Sequence, residues 1–439
     1  MTELDKIKQL LSLNKFLEAK KLLQKLILND PQNFEQLMLL AGLYRSIGKF
    51  NEAKETYLRI IELDNTHTVA LRLLIDFLYE NELSDFKKKL ETLISKKISD
   101  QKRVDLYFSL GILNEKLQKY KTSSEYFKKA NNLKRKIKPF NFDNLDKHFQ
   151  NLKDVFTKLS FDKINSPNQK KIIFIIGLPR SGTSLVESIL GSNKNIYSAG
   201  EIPNLKKIIR ENFITGGLLD FEKINNKNNS IYDQYINDIN LKKIIRDEFI
   251  INGNLDIKKI SKAKKTQDDK IYNKYVNLEN LESTVEKIIT DKNTENFKFL
   301  GIINTFFSNS KIIHCVRDPF ENFCSLYKIN FNSTGLNWTN SEKEIFMYYK
   351  NYFELINLWK SKNINNVIDI KFEELLSDPD NTINRLLDFC DLERNDDYIN
   401  FHKSNLLLIK TASANQARKP IQKENVFKYQ KFRNYFDFN

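Results

Sequence analysis

The sequence is poor in the residues that build disulfide scaffolds and metal sites. Only three of its 439 residues are cysteine and four are histidine, and Cys315, Cys324 and Cys390 lack the spacing of metal ligands. A disulfide framework or a zinc site is therefore disfavoured, and a reducing compartment, the cytoplasm, is expected.

Long apolar runs are also missing. No stretch reaches the length of a membrane span, and the charged N-terminal segment has no signal-peptide core. Glycine and proline are scarce, at 12 and 8 residues, and 41% of the residues are hydrophobic, which predicts ordered globular structure in two or three domains.

The net charge is high, at +15, with a pI of about 9.3. The lysines are spread along the chain among Glu, Asp and Asn and do not cluster in an arm or on one helix. This distribution predicts a solvated basic surface, and no nucleic-acid partner is expected.

The first third of the chain repeats itself. "KFLEAKKLLQKLILNDPQN", from Lys15, matches "KFNEAKETYLRIIELDNTH", from Lys49, at a distance of 34 residues. A third copy covers residues 110–133, and a looser one lies near residues 82–105. Paired amphipathic helices with this period are typical of tetratricopeptide repeats. The sequence therefore predicts an all-α tetratricopeptide-repeat solenoid over residues 1–138, a fold that binds peptides or protein segments.

The pattern changes after Pro139. Residues 139–168 are expected to form a connecting helix or linker, and residues 169–439 an α/β domain. Three apolar, β-branched runs predict buried parallel strands: "KIIFIIG" at 171–177, "SKIIHCVRDP" at 310–319 and "NVIDIKFEEL" at 366–375.

The first of these strands leads into "GLPRSGTS", Gly177 to Ser184. This stretch has the frame of a phosphate-binding loop, but Thr183 stands where the lysine of such loops is found. Backbone N–H groups and the end of a helix beginning near Thr183 would hold an anion. Because no strand ends in the paired aspartates of a magnesium site, a magnesium-dependent triphosphatase is disfavoured.

"GLPRSGTSLVESIL" resembles the 5′-phosphosulfate loop of sulfotransferases that use 3′-phosphoadenosine 5′-phosphosulfate (PAPS), above all the tyrosylprotein sulfotransferases and bacterial proteins that join tetratricopeptide repeats to this domain. The resemblance implies the sulfotransferase fold, a P-loop-type parallel sheet flanked by helices. It also implies donor contacts from the loop residues Pro179, Arg180, Ser181, Gly182, Thr183 and Ser184.

Further motifs of the same family follow in order. "IIHCVRDPFENFCSLY" resembles the 3′-phosphate motif, and the resemblance implies that Arg317 and Ser325 bind the 3′-phosphate. "ITDKNTENFKFLGII" resembles the segment of the catalytic lysine, here Lys292, and "SAGE" ends at the position of the carboxylate base, Glu201. The segment "FHKSN…TASANQARKPI…VFKY" resembles the last cofactor segment and implies the donor-binding residues Ser413 and Lys428.

These residue types suit the transfer of a sulfuryl group. Arg180 would fork onto the phosphosulfate oxygens, Lys292 would neutralise the leaving oxygen, and Glu201 would take the proton of an acceptor hydroxyl. Fixed cations around the phosphate make a metal unnecessary, so none is expected.

The sequence departs from the family pattern at several positions. Asn293 and Thr294 replace Met-Pro after the lysine, Phe372 replaces a tyrosine, and Lys428-Tyr429 replaces Arg-Trp. No departure removes a charged group that the chemistry needs.

Each assignment has an alternative. Arg180 could be a surface ion-pair partner and Lys292 one solvated lysine among many. Glu201 could complement the dipole of a following helix, and Arg317 and Ser325 could pair and cap on the helix after Pro319. His402 is an alternative base, whereas His314, inside an apolar strand, is expected in the core.

The functional prediction is a metal-independent, PAPS-dependent sulfotransferase that acts on a hydroxyl of a protein, peptide, carbohydrate or small molecule, with the repeats binding an acceptor or another protein. The alternatives are a repeat scaffold with an inactive nucleotide-binding domain, and a P-loop kinase or triphosphatase.

Overall fold

The structure is a computed structural model. It describes residues 3–12, 16–159, 171–225, 231–236, 239, 250–251, 254–255, 288–307, 309–362, 364–403, 420–421 and 426–438. Within these ranges, no helix combines the length and the apolar composition that a membrane span requires.

The N-terminal part folds into helix pairs joined by short loops. Its helices are α1 (Glu3–Ser12), α2 (Phe16–Asn29), α3 (Phe34–Ser46), α4 (Phe50–Leu63), α5 (Thr68–Leu74), α6 (Glu80–Ile94), α7 (Asp100–Lys116), α8 (Tyr120–Ile137) and α9 (Phe142–Lys158), with a 3₁₀ turn at Ile75–Phe77. α2 and α4 begin 34 residues apart, as the sequence repeat predicts.

Small residues recur where these helices touch. Ala19, Ala53 and Ser123 are fully buried. The Ser123 hydroxyl donates to the Gly111 carbonyl of the facing helix at 2.7 Å, and a Cβ on Gly111 would lie 2.7 Å from the Phe127 ring. The two helices of the third repeat are therefore packed too closely for larger side chains at Gly111 and Ser123.

Helix α7 belongs to two hydrophobic cores. Leu106 and Leu110 pack with the helices that precede α7, whereas Val104 and Phe108 pack in the core that also covers one face of the central sheet. Helix α9, within the expected connecting segment, adds Phe149 to this second core. The repeat array and the α/β part thus share apolar packing.

The α/β part is built on a parallel sheet. Its strands are β1 (Lys171–Gly177), β2 (Ile196–Ser198), β7 (Ile288–Asp291), β8 (Ser310–Val316) and β9 (Val367–Lys371). They lie in the order β2-β7-β1-β8-β9. Two short antiparallel ladders pair β3 (Ile214–Thr215) with β4 (Leu218–Leu219) and β5 (Ile250–Ile251) with β6 (Asn254–Leu255).

Helices surround this sheet. They are α10 (Thr183–Leu190), α11 (Asn204–Phe213), α12 (Phe221–Asn225), α13 (Leu300–Phe306), α14 (Pro319–Tyr327), α15 (Glu342–Ser361), α16 (Phe372–Ser377), α17 (Pro379–Phe389) and α18 (Asp396–Ile399). Short 3₁₀ helices lie at Thr294–Phe299, Thr334–Asn340, Phe401–Lys403 and Gln430–Phe432.

Strand β1 explains why both faces of the sheet are covered. Ile173 and Ile175 belong to one apolar cluster, while Ile172, Phe174 and Ile176 belong to the other. A strand with alternate residues in two cores is apolar throughout, as a buried parallel strand must be.

The sheet gathers the predicted site residues at one edge. The phosphate-binding loop follows β1 at the centre, Lys292 follows β7 on one side, and Arg317 follows β8 on the other. Glu201 comes three residues after β2. The carboxyl ends of parallel strands form the usual ligand-binding edge of such sheets.

Candidate functional site

The loop from Gly177 to Ser184 has backbone geometry that only particular residues allow. Gly177 has a φ of 143°, and a Cβ there would lie 2.4 Å from the Cys315 carbonyl oxygen. Gly182 has a φ of 101° and precedes α10, which begins at Thr183, as predicted. Arg180 has a φ of 70° despite its side chain. Strained backbone of this kind is held at functional sites by the structure around it.

Arg180, Ser325 and Arg317 form one connected group. Arg180 Nε donates to Ser325 Oγ at 3.0 Å, and Arg317 Nη1 donates to the Arg180 carbonyl at 3.1 Å. Burial lowers the pKa of Arg180 to about 10, so its guanidinium remains charged at neutral pH. Two guanidinium groups therefore lie beside the same phosphate-binding loop.

Helices α14 and α15 support this loop through residues that the sequence patterns did not indicate. Asn322 Nδ2 donates to the Pro179 carbonyl at 3.0 Å, and Tyr349 OH donates to Asn322 Oδ1 at 2.6 Å. Both side chains are buried. They fix the loop one residue before Arg180.

Arg317 is held between a carboxylate and two rings. Glu321 Oε2 lies 3.6 Å from Arg317 Nη2, and the Arg317 guanidinium carbon lies 4.7 Å from the Phe372 ring and 5.8 Å from the Tyr429 ring. Phe372 also packs on the loop, because a Cβ on Gly182 would lie 2.6 Å from its Cδ2. The residue that replaces the family's tyrosine thus orients Arg317 by stacking.

Glu201 and Lys292 form an ion pair. Lys292 Nζ lies 2.6 Å from Glu201 Oε1. The Lys292 side chain is 3% exposed and the Glu201 side chain 54% exposed, so the carboxylate faces solvent while the ammonium is buried. An acid–base pair at a sheet edge can exchange a proton with a bound molecule on its open side.

The turn that presents Glu201 is fixed from several sides. Gly200 N donates to Glu187 Oε1 on α10 at 3.1 Å, and Lys292 N donates to the Gly200 carbonyl at 3.1 Å. Asn293 Nδ2 donates to the Ile202 carbonyl at 3.1 Å. Asn293, a departure from the family pattern, thus ties the lysine segment to the Glu201 segment.

Two further carboxyl groups lie near this pair. Burial raises the pKa of Glu187 to about 7, and Lys292 opposes this shift. Burial also raises the pKa of Asp291 to about 7, and Tyr235 OH donates to Asp291 Oδ2 at 2.7 Å. One lysine cannot balance three ionised carboxylates in a buried setting, so protons are retained here to unusually high pH.

The raised pKa of Asp291 predicts a stability effect. The ordinary pKa of an aspartate carboxyl, 3.8, applies in the unfolded chain, whereas the pKa in the folded chain is about 7. The unfolded state therefore binds fewer protons between these pH values, so Asp291 costs the wild type stability as pH rises. Urea unfolding should show that, from pH 4.5 to pH 7.5, the free energy of unfolding of Asp291→Asn rises by about 3 kcal/mol relative to that of the wild type.

Asp391→Asn is the control for this measurement. A hydrogen bond from Lys171 lowers the pKa of the exposed Asp391 carboxyl, so its removal should give no gain as pH rises. A free-energy difference for Asp291→Asn that stays constant with pH would show that Asp291 is ionised in the folded protein.

The remaining predicted residues differ in their placement. Lys428 Nζ lies 4.7 Å from the Tyr429 ring, and the Arg317 guanidinium carbon lies 5.8 Å from the same ring. Ser413 lies outside the described residues. Within the part of the chain that the structure describes, His402 makes no hydrogen bond or ion pair with Glu201.

His314 lies in the core. It is 4% exposed, and its Nδ1 lies 2.8 Å from Asp369 Oδ1 while Nε2 contacts the Tyr352 hydroxyl. Cys315, Cys324 and Cys390 are buried thiols.

Known proteins similar to this chain include a protein of Aquifex aeolicus strain VF5 described as uncharacterized. It is 28% identical over 443 residues, and the match covers 98% of this chain and 53% of that protein. The chain thus spans about half the length of the curated relative.

Solved structures that match this chain include a sulfotransferase domain from the Synechococcus PCC 7002 olefin synthase and one from the curacin biosynthetic pathway. The first has a TM-score of 0.39 and 18% identity, with 62% of this chain and 91% of that chain covered. The second has a TM-score of 0.35 and 16% identity, with 61% and 96% covered.

Family comparison agrees with both parts of the fold. Tetratricopeptide repeats match residues 37–67 and 104–137, which confirms repeats of this type in the N-terminal part, including the predicted copies from Lys49 and over residues 110–133. The sulfotransferase family matches residues 173–396, from the first strand of the sheet to its last helices. Since this match covers just over half of the residues, the chain belongs to the sulfotransferase family.

Proposed function

We propose that the protein moves a sulfuryl group from PAPS to a hydroxyl group of a protein, a peptide or another acceptor, without a metal ion. The observation that supports this most directly is the connected group of Arg180, Ser325 and Arg317 beside the loop, with the Glu201–Lys292 pair at the same sheet edge.

The loop fits a bisphosphate donor. Its Arg180 and the adjacent Arg317 offer two guanidinium groups, and Thr183 stands in place of the lysine that reaches a γ-phosphate. The buried Ser181 hydroxyl and Arg317 Nε have no hydrogen-bond partner among the described residues. When bound, PAPS supplies the activated sulfuryl group and a phosphate leaving group.

The ion pair divides two roles between its partners. Glu201, on the open side, accepts the proton of the acceptor hydroxyl as its oxygen bonds to sulfur. Lys292, on the buried side, donates a hydrogen bond to the oxygen that leaves with the nucleotide. No step requires a metal, because the arginines and the lysine carry the positive charge.

The repeat array is the proposed binding surface for a protein acceptor or partner. Tetratricopeptide repeats form extended surfaces that bind protein segments. A large acceptor would gain affinity there while its hydroxyl group reaches Glu201.

A thermal-shift measurement tests the donor assignment. Adenosine 3′,5′-bisphosphate, in EDTA and at about 100 times its Kd, should stabilise the protein by about 2.7 kcal/mol and raise Tm by a few degrees. ATP with magnesium should have no comparable effect. Stabilisation by ATP with magnesium but not by the bisphosphate would instead support a kinase or triphosphatase.

A further inference from the structure

An ion pair between a buried lysine and a partly buried glutamate joins the repeat array to the end of helix α14. Lys328, directly after α14, is 7% exposed, and its ammonium group contacts the Glu115 carboxylate in the last turn of α7. A buried ammonium group without a counter-charge is strongly disfavoured. The Glu115 carboxylate therefore holds the Lys328 ammonium group in its position.

The same ammonium group contacts the C-terminal segment. Lys328 Nζ lies 3.9 Å from the centroid of the Tyr429 ring and 4.6 Å from that of Phe432. The Arg317 guanidinium carbon lies 5.8 Å from the Tyr429 ring. Cations within about 6 Å of an aromatic ring are attracted to it, so Lys328 and Arg317 both help to hold the Tyr429 ring, together with Lys428.

Tyr429 in turn contacts the partner of Arg317. Tyr429 N donates to Glu321 Oε1 at 2.8 Å, and Glu321, which is fully buried, places its other oxygen 3.6 Å from Arg317 Nη2. Arg317 Nη1 donates to the Arg180 carbonyl. Contacts therefore run without interruption from helix α7 of the array to the phosphate-binding loop.

We infer that Glu115, a residue of the repeat array, is a positioning residue for the donor nucleotide. Glu115 fixes Lys328, and Lys328 fixes Tyr429. Tyr429 in turn fixes Glu321, the partner of Arg317, and Arg317 would bind the 3′-phosphate. This inference rests on the proposed function, because it places the nucleotide at Arg317. Donor affinity is then a property of the array as well as of the α/β part.

Calorimetric titration of the full chain with adenosine 3′,5′-bisphosphate tests the inference. Glu115→Gln should weaken binding about tenfold, within the range of couplings between linked sites. The double variant Glu115→Gln/Lys328→Met should bind no more weakly than Lys328→Met alone, because Glu115 acts through Lys328.

Glu344→Gln is the matched control. Glu344 pairs with Arg135 and so also joins the array to the α/β part, but within the described residues it has no contact with Tyr429. Its affinity for the bisphosphate should stay within about twofold of wild type.

The outcomes are distinguishable. A wild type that does not bind the bisphosphate contradicts the proposed function and this inference with it. A wild type that binds, with Glu115→Gln binding equally well, overturns the inference alone. Equal weakening in Glu344→Gln also overturns it, since any loosening of the interface would then suffice. If Glu115→Gln does not fold, Glu115→Asp, with the same charge on a shorter side chain, replaces it.

Discussion

Arg180→Ala should abolish the stabilisation of the protein by adenosine 3′,5′-bisphosphate. The side chain is charged at neutral pH and lies beside the loop, held by Ser325. Hydrogen bonds from a charged donor to an anion contribute about 1.5–3 kcal/mol each, and the guanidinium group can make two. Calorimetric titration should therefore show a loss of affinity of at least about 100-fold.

The control for Arg180 is Arg394→Ala, which removes an exposed arginine paired with Asp388. It should bind the bisphosphate as the wild type does. If Arg180→Ala keeps its affinity, Arg180 does not contact the phosphates, and the reading of the loop as a phosphosulfate site fails.

Glu201→Gln should lose turnover while it keeps donor binding. The glutamine is nearly the same size and can still accept a hydrogen bond from Lys292, but it cannot take a proton. Loss of a general base costs about 10²–10⁴-fold in rate. Transfer of labelled sulfate from PAPS into a cell extract measures the loss, and titration with the bisphosphate should give a Kd within about twofold of wild type.

Glu211→Gln provides the matched control, since Glu211 is an exposed carboxylate on α11, ten residues further along the chain. It should transfer sulfate at the wild-type rate. Weakened bisphosphate binding in Glu201→Gln would mean that Glu201 holds the donor and is not the base. Unchanged transfer would leave the base to another group, with His402 the next to test.

Sequence patterns predicted the strands that contain β-branched runs, β1, β8 and β9. β1 and β8 are largely buried, whereas β9 lies at the edge of the sheet and only its Ile370 is buried. β2 and β7 were not predicted. They are three and four residues long and contain polar residues, so their strand pairing depends on neighbours far away in the chain.

The charged residues of the candidate site could be named from motifs, but their supports could not. Arg180, Arg317 and Ser325 lie together as the motifs led us to expect, and their roles remain predictions. Glu321 and Asn322 were missed because they act through contacts with residues more than 100 positions away. Glu187 gave a signal that could have been used, because it is the one charged residue of the helix "TSLVESIL".

The two-sided helix α7 limits how far this protein is modular. Its Val104 and Phe108 help to close the apolar side of the sheet, so exchange of the whole array by recombination would uncover that side to water. Within the described residues, helices α1 to α6 contribute no side chain to this core. Lineages or engineers that swap recognition modules on this scaffold should therefore exchange α1 to α6 and retain α7 with the enzyme.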